Sequence, residues 1–212
     1  MAAARAHLAD GAEGPGGGEA PHPFRQAVAA LEAARARPEV RLGPLPAPRR
    51  LAPFAHALEA SVEVDGEELA DGRFVLLHDP DGQESWRGAF RVVTLARADL
   101  EAEVVADPLL PEVAWSWLTG ALAARGAAYD APGGTVTRVS SHSFGELGDR
   151  APRAEIEIRA SWTPREGAVN AVAGHLAAWC DLLCQCAGLP PEGGDGAAIV
   201  PLPQRRGPQP LR

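Results

Sequence analysis

The sequence predicts an α+β fold, a single antiparallel sheet of about five strands with helices packed on it, in the order α-β-β-β-α-β-β-α. From Ala154 to Trp162, apolar residues at 154, 156, 158, 160 and 162 alternate without a fault against Glu155, Glu157, Arg159 and Ser161. Alternation at period two marks a strand with one face buried and one wet. Such a strand belongs to an antiparallel sheet, because parallel strands are usually apolar on both faces. Two further runs, Arg73 to His78 and Trp86 to Arg97, flank Asp79-Pro80-Asp81-Gly82, whose residues suit a type I turn and predict a hairpin. Helix-period segments set between the strand runs complete the pattern.

Residues 1–22, rich in Ala, Gly, Pro and Glu, carry no apolar period and are expected to be a disordered tail. A helix begins at Pro23, with Phe24, Ala27, Val28 and Leu31 at helical spacing, and Pro38 stops it. Residues 41–53 are dense in proline and read as an extended connection across the surface. The first strand places His56, Leu58, Ala60, Val62 and Val64 on one side and ends at Asp65-Gly66. In the third, Phe90, Val92 and Thr94 oppose Arg91, Val93 and Leu95. Asp107-Pro108 and Pro111 open a second helix with a stripe of Val113, Ala114, Trp117, Leu118, Ala121 and Leu122, and Gly126 closes it. Thr135 to Phe144 reads as the fourth strand and the segment from Ala154 as the fifth. The last helix, about 168–187, carries Val169, Val172, Leu176, Trp179, Cys180 and Leu183 on one face. Residues 23–189 thus form one domain, and 190–212 a disordered Pro/Gly/Arg tail.

Composition removes several function classes. The net charge of -8 argues against a surface that grips nucleic acid as a whole. Every basic residue is arginine, so a phosphate-loop lysine, a Schiff base and a Ser–Lys dyad are all excluded. Cys180, Cys184 and Cys186 make an odd number within one helix, which fits a reduced compartment rather than a disulfide framework. Met1 is not followed by the basic-then-apolar order of a signal peptide, and the uncharged run Val113 to Ala124 is too short to span a bilayer. The expectation is a soluble cytoplasmic protein without cofactor or metal.

Several segments together carry a family resemblance. They are Pro23-Phe-Arg-Gln-Ala-Val28, Arg50-Leu-Ala-Pro-Phe54, Leu69-Ala-Asp-Gly-Arg73, Leu76-Leu-His-Asp-Pro80, Asp107-Pro-Leu-Leu-Pro111 and Trp115-Ser-Trp117-Leu-Thr-Gly120. Thr135-Val-Thr-Arg138, Ser140-Ser-His142 and Glu155 through Pro164 complete the set. The chain resembles an uncharacterised actinobacterial family, the domain of unknown function numbered three thousand, and that resemblance implies no activity. The element order is also similar to that of the secretion-chaperone-like fold, whose dimers hold extended partner segments against a sheet. That likeness is one of fold, and function does not follow from fold.

Candidate site residues cluster on the last two strands. Arg138, Ser140 and His142 share one face of the fourth strand, and Glu155, Glu157 and Arg159 the wet face of the fifth. If the two sets share a face, they make cross-strand charge pairs, an anion or peptide site, or a Ser–His–carboxylate set of the hydrolase kind. No Gly-x-Ser-x-Gly elbow supports the last. Trp115 and Trp117, two apart, cannot both enter the core, and Trp115 is left for the helix flank or a partner contact. Cys180 and Cys184 stand at i, i+4 in an apolar stripe and read as packing. His56 and His78 read as structural. The leading expectation is a non-enzymatic, chaperone-like module that forms a homodimer or binds a protein partner. A small-molecule-binding protein or hydrolase is the alternative, and an RNA-associated protein using Arg205, Arg206 and Arg212 the third.

Overall fold

The computed structural model describes residues 20–165 and 172–190. In chain order its elements are α1 (His22–Glu32), β1 (Val40–Leu45), β2 (Phe54–Val64), β3 (Glu67–Gln83), β4 (Gly88–Leu100), α2 (Ala102–Ala106), α3 (Leu110–Ala124), β5 (Tyr129–Ser141), β6 (Arg153–Pro164) and α4 (Val172–Cys186). The strands form one open antiparallel sheet in the order β1-β2-β3-β4-β6-β5. The predicted α+β class holds, with six strands rather than about five. Apart from residues 20–22 and 190, the expected tails lie outside the described residues, as do Val169 and the three tail arginines. No helix among the described residues is long and apolar enough to cross a membrane.

Two expectations are corrected. The proline-rich stretch from 41 contains an edge strand, since β1 pairs with β2 from Val40↔Val62 to Leu45↔Ala57. An edge strand tolerates Pro44 because one side of its backbone needs no ladder partner. The turn expected at 79–82 is instead an irregular part of β3, and the register breaks between His78 and Gln83. The Asp79 carboxylate accepts the Asp81 N–H at 3.2 Å and the Gln83 amide at 3.1 Å, which shapes this bulge. Reversal comes at 84–87, where the N–H groups of Trp86 and Arg87 both donate to Gln83 O and Arg87 adopts a positive φ.

The helices cover one face of the sheet, and small residues set how closely they sit. Register aligns Ala60 of β2, Gly72 of β3 and Ala96 of β4 in one row across the helix-covered face. Into this trough falls Trp179 of α4, which is fully buried and donates its indole N–H to Leu95 O at 3.2 Å. A Cβ on Gly72 would collide with Leu95 O and lie 2.8 Å from the Trp179 ring. The sequence predicted a one-sided apolar stripe for α4. The helix is instead buried nearly all round, His175, Ala178, Leu182, Cys184 and Cys186 included, because α1 and α3 pack along its flanks. Arg125, at the end of α3, makes a two-pronged ion pair with buried Asp181 at 2.6 and 2.7 Å and fixes α3 against α4. Below them, Trp162 of β6 donates its indole N–H to His175 Nδ1 at 3.0 Å, both side chains being fully buried.

Two outcomes follow from this packing. Gly72→Ala forces Trp179 out of its trough and is expected to cost about 1–3 kcal/mol, as overpacking does. Gly43→Ala, which meets only the Glu59 side chain at 3.6 Å, is expected to stay within about 0.5 kcal/mol, and urea unfolding of both variants checks the contrast. The second concerns pH. Burial pushes His175 down to about 4, and burial also lowers His56 and His78. An unfolded histidine titrates near pH 6.5, so below that value the unfolded chain binds more protons than the folded one. Stability should therefore fall as pH drops from about 6.5 towards 4, with His175 alone contributing a loss of about 2 kcal/mol by pH 5. His175→Gln keeps an acceptor for Trp162 and should flatten part of that slope. A pH-independent unfolding midpoint between pH 7 and 5 would contradict the assignment.

Candidate functional site

The sheet has two unlike faces, and the register assigns each candidate to one of them. Arg138 lies opposite Ile156 and Ser140 opposite Ala154, so both belong to the helix-covered face. Thr135 lies opposite Arg159, Thr137 opposite Glu157 and Val139 opposite Glu155 on the open face. The two halves of the expected polar cluster are thus separated by the sheet itself. On its side, Arg138 donates to the carbonyls of Val105 at 3.1 Å and Asp107 at 2.6 Å, where α2 ends with unsatisfied acceptors. Ser140 Oγ and His142 Nε2 are 3.4 Å apart at an exposed edge, and Glu157 is on the opposite face, engaged with Arg159 at 2.7 Å. The Ser–His–carboxylate set is not assembled. Trp115 is half-buried and covers Gly134 of β5, where a Cβ would stand 2.8 Å from its ring, while Trp117 also packs against the core from the same helix.

The open face carries a shallow groove of about 580 Å³ over β3, β4, β6 and β5. Its floor is apolar, formed by Val75, Val93 and Leu95, all half-buried. Arg73 and Arg159, both exposed, stand at its margins, and Ser161, Gly133 and Thr135 close the β5 side. Arg73 makes no hydrogen bond or ion pair among the described residues. Beside the groove, Arg91 donates to Ser161 Oγ at 2.7 Å, Thr163 Oγ1 at 3.0 Å and Ala131 O at 2.9 Å, which stitches β4 to β6 and to the bulged start of β5. Burial lowers the Arg91 pKa, though not towards neutrality for a guanidinium. Further along the strands the face turns acidic. Arg97 pairs with Asp71 at 2.8 Å, and Asp99 lies directly opposite Glu155.

Arg73, Val75, Val93 and Leu95 were not among the sequence candidates. A signal for them exists: β3 and β4 carry apolar residues on both faces, Val75 and Leu77 in one and Val93 and Leu95 in the other. A sheet wet on one side does not require that second apolar set.

A second concavity of about 900 Å³ lies on the helix side, at the end of the sheet near the 84–87 turn. Leu76, Phe90, Pro21, Pro23 and Pro80 line it, with Arg87 and the Asp130–Arg165 ion pair also on its wall. His78 lines it too, stacked on Phe90 with ring centroids 4.2 Å apart. Its Nδ1–H donates to Ala89 O at 3.0 Å, and its buried Nε2 has no partner.

The cysteines sit in the core. All three are buried and in no disulfide, and burial pushes Cys180 and Cys186 up to about 12, far from nucleophilic at neutral pH. Among the described residues no group of three or more His, Cys, Asp or Glu is placed to hold a metal ion.

No curated protein and no solved structure matches the chain, so the secretion-chaperone-like resemblance rests on element order alone. A family model does match, over residues 20–195, a span that contains every helix and strand described above. The chain belongs to the family described as Protein of unknown function (DUF3000).

Proposed function

We propose that the chain is a non-catalytic protein-binding module whose open sheet face takes an extended segment of a partner protein. The observation that carries this is the groove itself. An apolar floor of Val75, Val93 and Leu95 lies uncovered among the described residues, between Arg73, which stands opposite Glu59 and forms no ion pair among the described residues, and Arg159. Uncovered apolar surface rimmed by charge is what a docking surface presents, and guanidinium groups at the margins select carboxylates. The partner segment is therefore one that alternates aliphatic residues with Asp or Glu. The acidic stretch at Asp99 and Glu155 confines it to the Arg73–Arg159 part of the face by repelling the same carboxylates.

Two measurements test the reading. Peptides alternating Val or Leu with Glu should bind the full chain in fluorescence anisotropy, and their Lys counterparts should bind about tenfold more weakly or worse. Arg73→Glu together with Arg159→Glu should reverse that preference. A photoreactive residue at position 93 should capture the peptide, and one at exposed Ala123 of α3 should not. Equal binding of acidic and basic peptides, or equal capture at both positions, would end the proposal.

One observation favours a second reading, a small-molecule site in the end cavity. The orphaned Nε2 of His78 would accept a hydrogen bond from an aromatic ligand, with Arg87 there to meet an anionic group. Anilinonaphthalene sulfonate has that chemistry. It should bind the folded chain saturably and one to one, and Arg87→Glu should weaken that binding about tenfold or more by repelling the sulfonate. Binding that survives that substitution undiminished would count against the site.

A further inference from the structure

The two edges of the sheet are built differently. β1 is short and carries Gly43 and Pro44, devices that discourage pairing with another strand. From Gly133 to Ser141 β5 is longer, and the bulge of the strand lies before that stretch, between Asp130 and Gly133. Those nine residues pair with β6 on one side, and β5 ends the strand order on the other. They contain no proline, and Arg138 is their only charge. Nearly all their side chains are exposed, Val139 among them, and just beyond the strand Phe144 is 81% exposed, more than any other large apolar residue of the described chain.

We infer that β5 pairs antiparallel with β5 of a second copy, joining two sheets into one across a two-fold axis at Val139. An antiparallel strand paired with itself is self-complementary by symmetry, so one surface serves both copies. The register follows from what must be avoided and what must be covered. Centring on Arg138 would set two guanidinium groups face to face, which directly opposed strands penalise. Centring on Val139 places Arg138 opposite the partner's Ser140, Thr137 opposite the partner's Ser141, and Val139 against its own mate.

The same register sends Phe144 opposite the partner's Gly134. Phe144 has extended backbone, and continuing the strand through it on pairing places it, at even spacing from Ser140, on the helix-covered face with Gly134. Gly134 is the bare position beside the half-buried Trp115 ring. An exposed phenylalanine thus meets the half-buried indole that covers Gly134, once for each copy. Pairing also carries residues 143–145 of the second chain to the β5 margin of the groove, at Gly133 and Thr135, and so lengthens the open-face surface. The inference is independent of the peptide-binding reading, whose test residues lie on β3, β4 and β6.

Sedimentation and light scattering of the full chain should give twice the 22.1 kDa chain mass at micromolar concentration. Val139→Cys should form an intermolecular disulfide under mild oxidation, since Cα atoms of opposed residues lie about 4.5–5.5 Å apart. Thr135→Cys, away from the axis, should not. The native thiols are buried and add no background. Phe144→Asp should weaken the dimer about tenfold or more while leaving the far-UV spectrum unchanged. A full chain that remains monomeric, a T135C chain that links as readily as V139C, or an F144D chain that dimerises like the parent overturns the inference.

Discussion

Everything in this molecule depends on how closely α4 can lie on the sheet, and that is set where Trp179 drops into the trough of Ala60, Gly72 and Ala96. An indole is too large to pass between a helix and a sheet of ordinary side chains. Removing one Cβ at Gly72 admits it, and the hydrogen bond to Leu95 O satisfies its N–H within the layer. With α4 held there, Phe74 meets the same ring with centroids 5.7 Å apart, and Leu183 closes over Gly72. Trp162 and His175 repeat the solution two rows away, a buried donor matched to a buried acceptor. The price is polar: the His175 Nε2 proton has no acceptor, and the ring stays neutral because its surroundings offer no solvation for a charge.

Close seating on one face leaves the other face uncovered, and this is where the two central strands are informative. Val75 and Val93 face each other across β3 and β4, and Leu95 opposes Arg73. Neighbouring Leu77 and Ala57, also on the open side, are nonetheless almost fully buried. An apolar interior band thus grades into paired charges at Asp71, Arg97 and Glu157 and then into Asp99 and Glu155. That gradient runs along the strands. A partner laid across it meets a different chemistry at each end.

The sequence made the class of fold and most strands legible because one face of each strand had to be apolar, and period-two patterns in β2, β4 and β6 record that directly. It hid β1, whose Gly43 and Pro44 look like linker and are tolerated only because the strand has a single neighbour. It misplaced the β3–β4 turn, because Asp-Pro-Asp-Gly is turn chemistry that here bends a strand without ending it. For the site, the phase of β5 was the obstacle. Arg138 sits on the buried face with a charge that periodicity counts as wet, because the end of α2 supplies it with two carbonyls. No local pattern announces a cap provided by another element.

The arginines explain why the groove, rather than the predicted cluster, is the surface to watch. In a chain without lysine they do the structural work that charge can do. Arg91 stitches three strands, Arg97 is held by Asp71, Arg125 by Asp181, Arg138 by α2, and Arg41 by Glu63. Each is consumed by a partner in its own molecule. Arg159 is half consumed, since its bond to Glu157 is exposed to water and worth little. Arg73 stands in the centre of the sheet, beside the apolar floor, with no partner among the described residues. Its cross-strand neighbour is Glu59, with which it forms no ion pair, so a charge held only loosely stands next to apolar surface that the described residues leave uncovered.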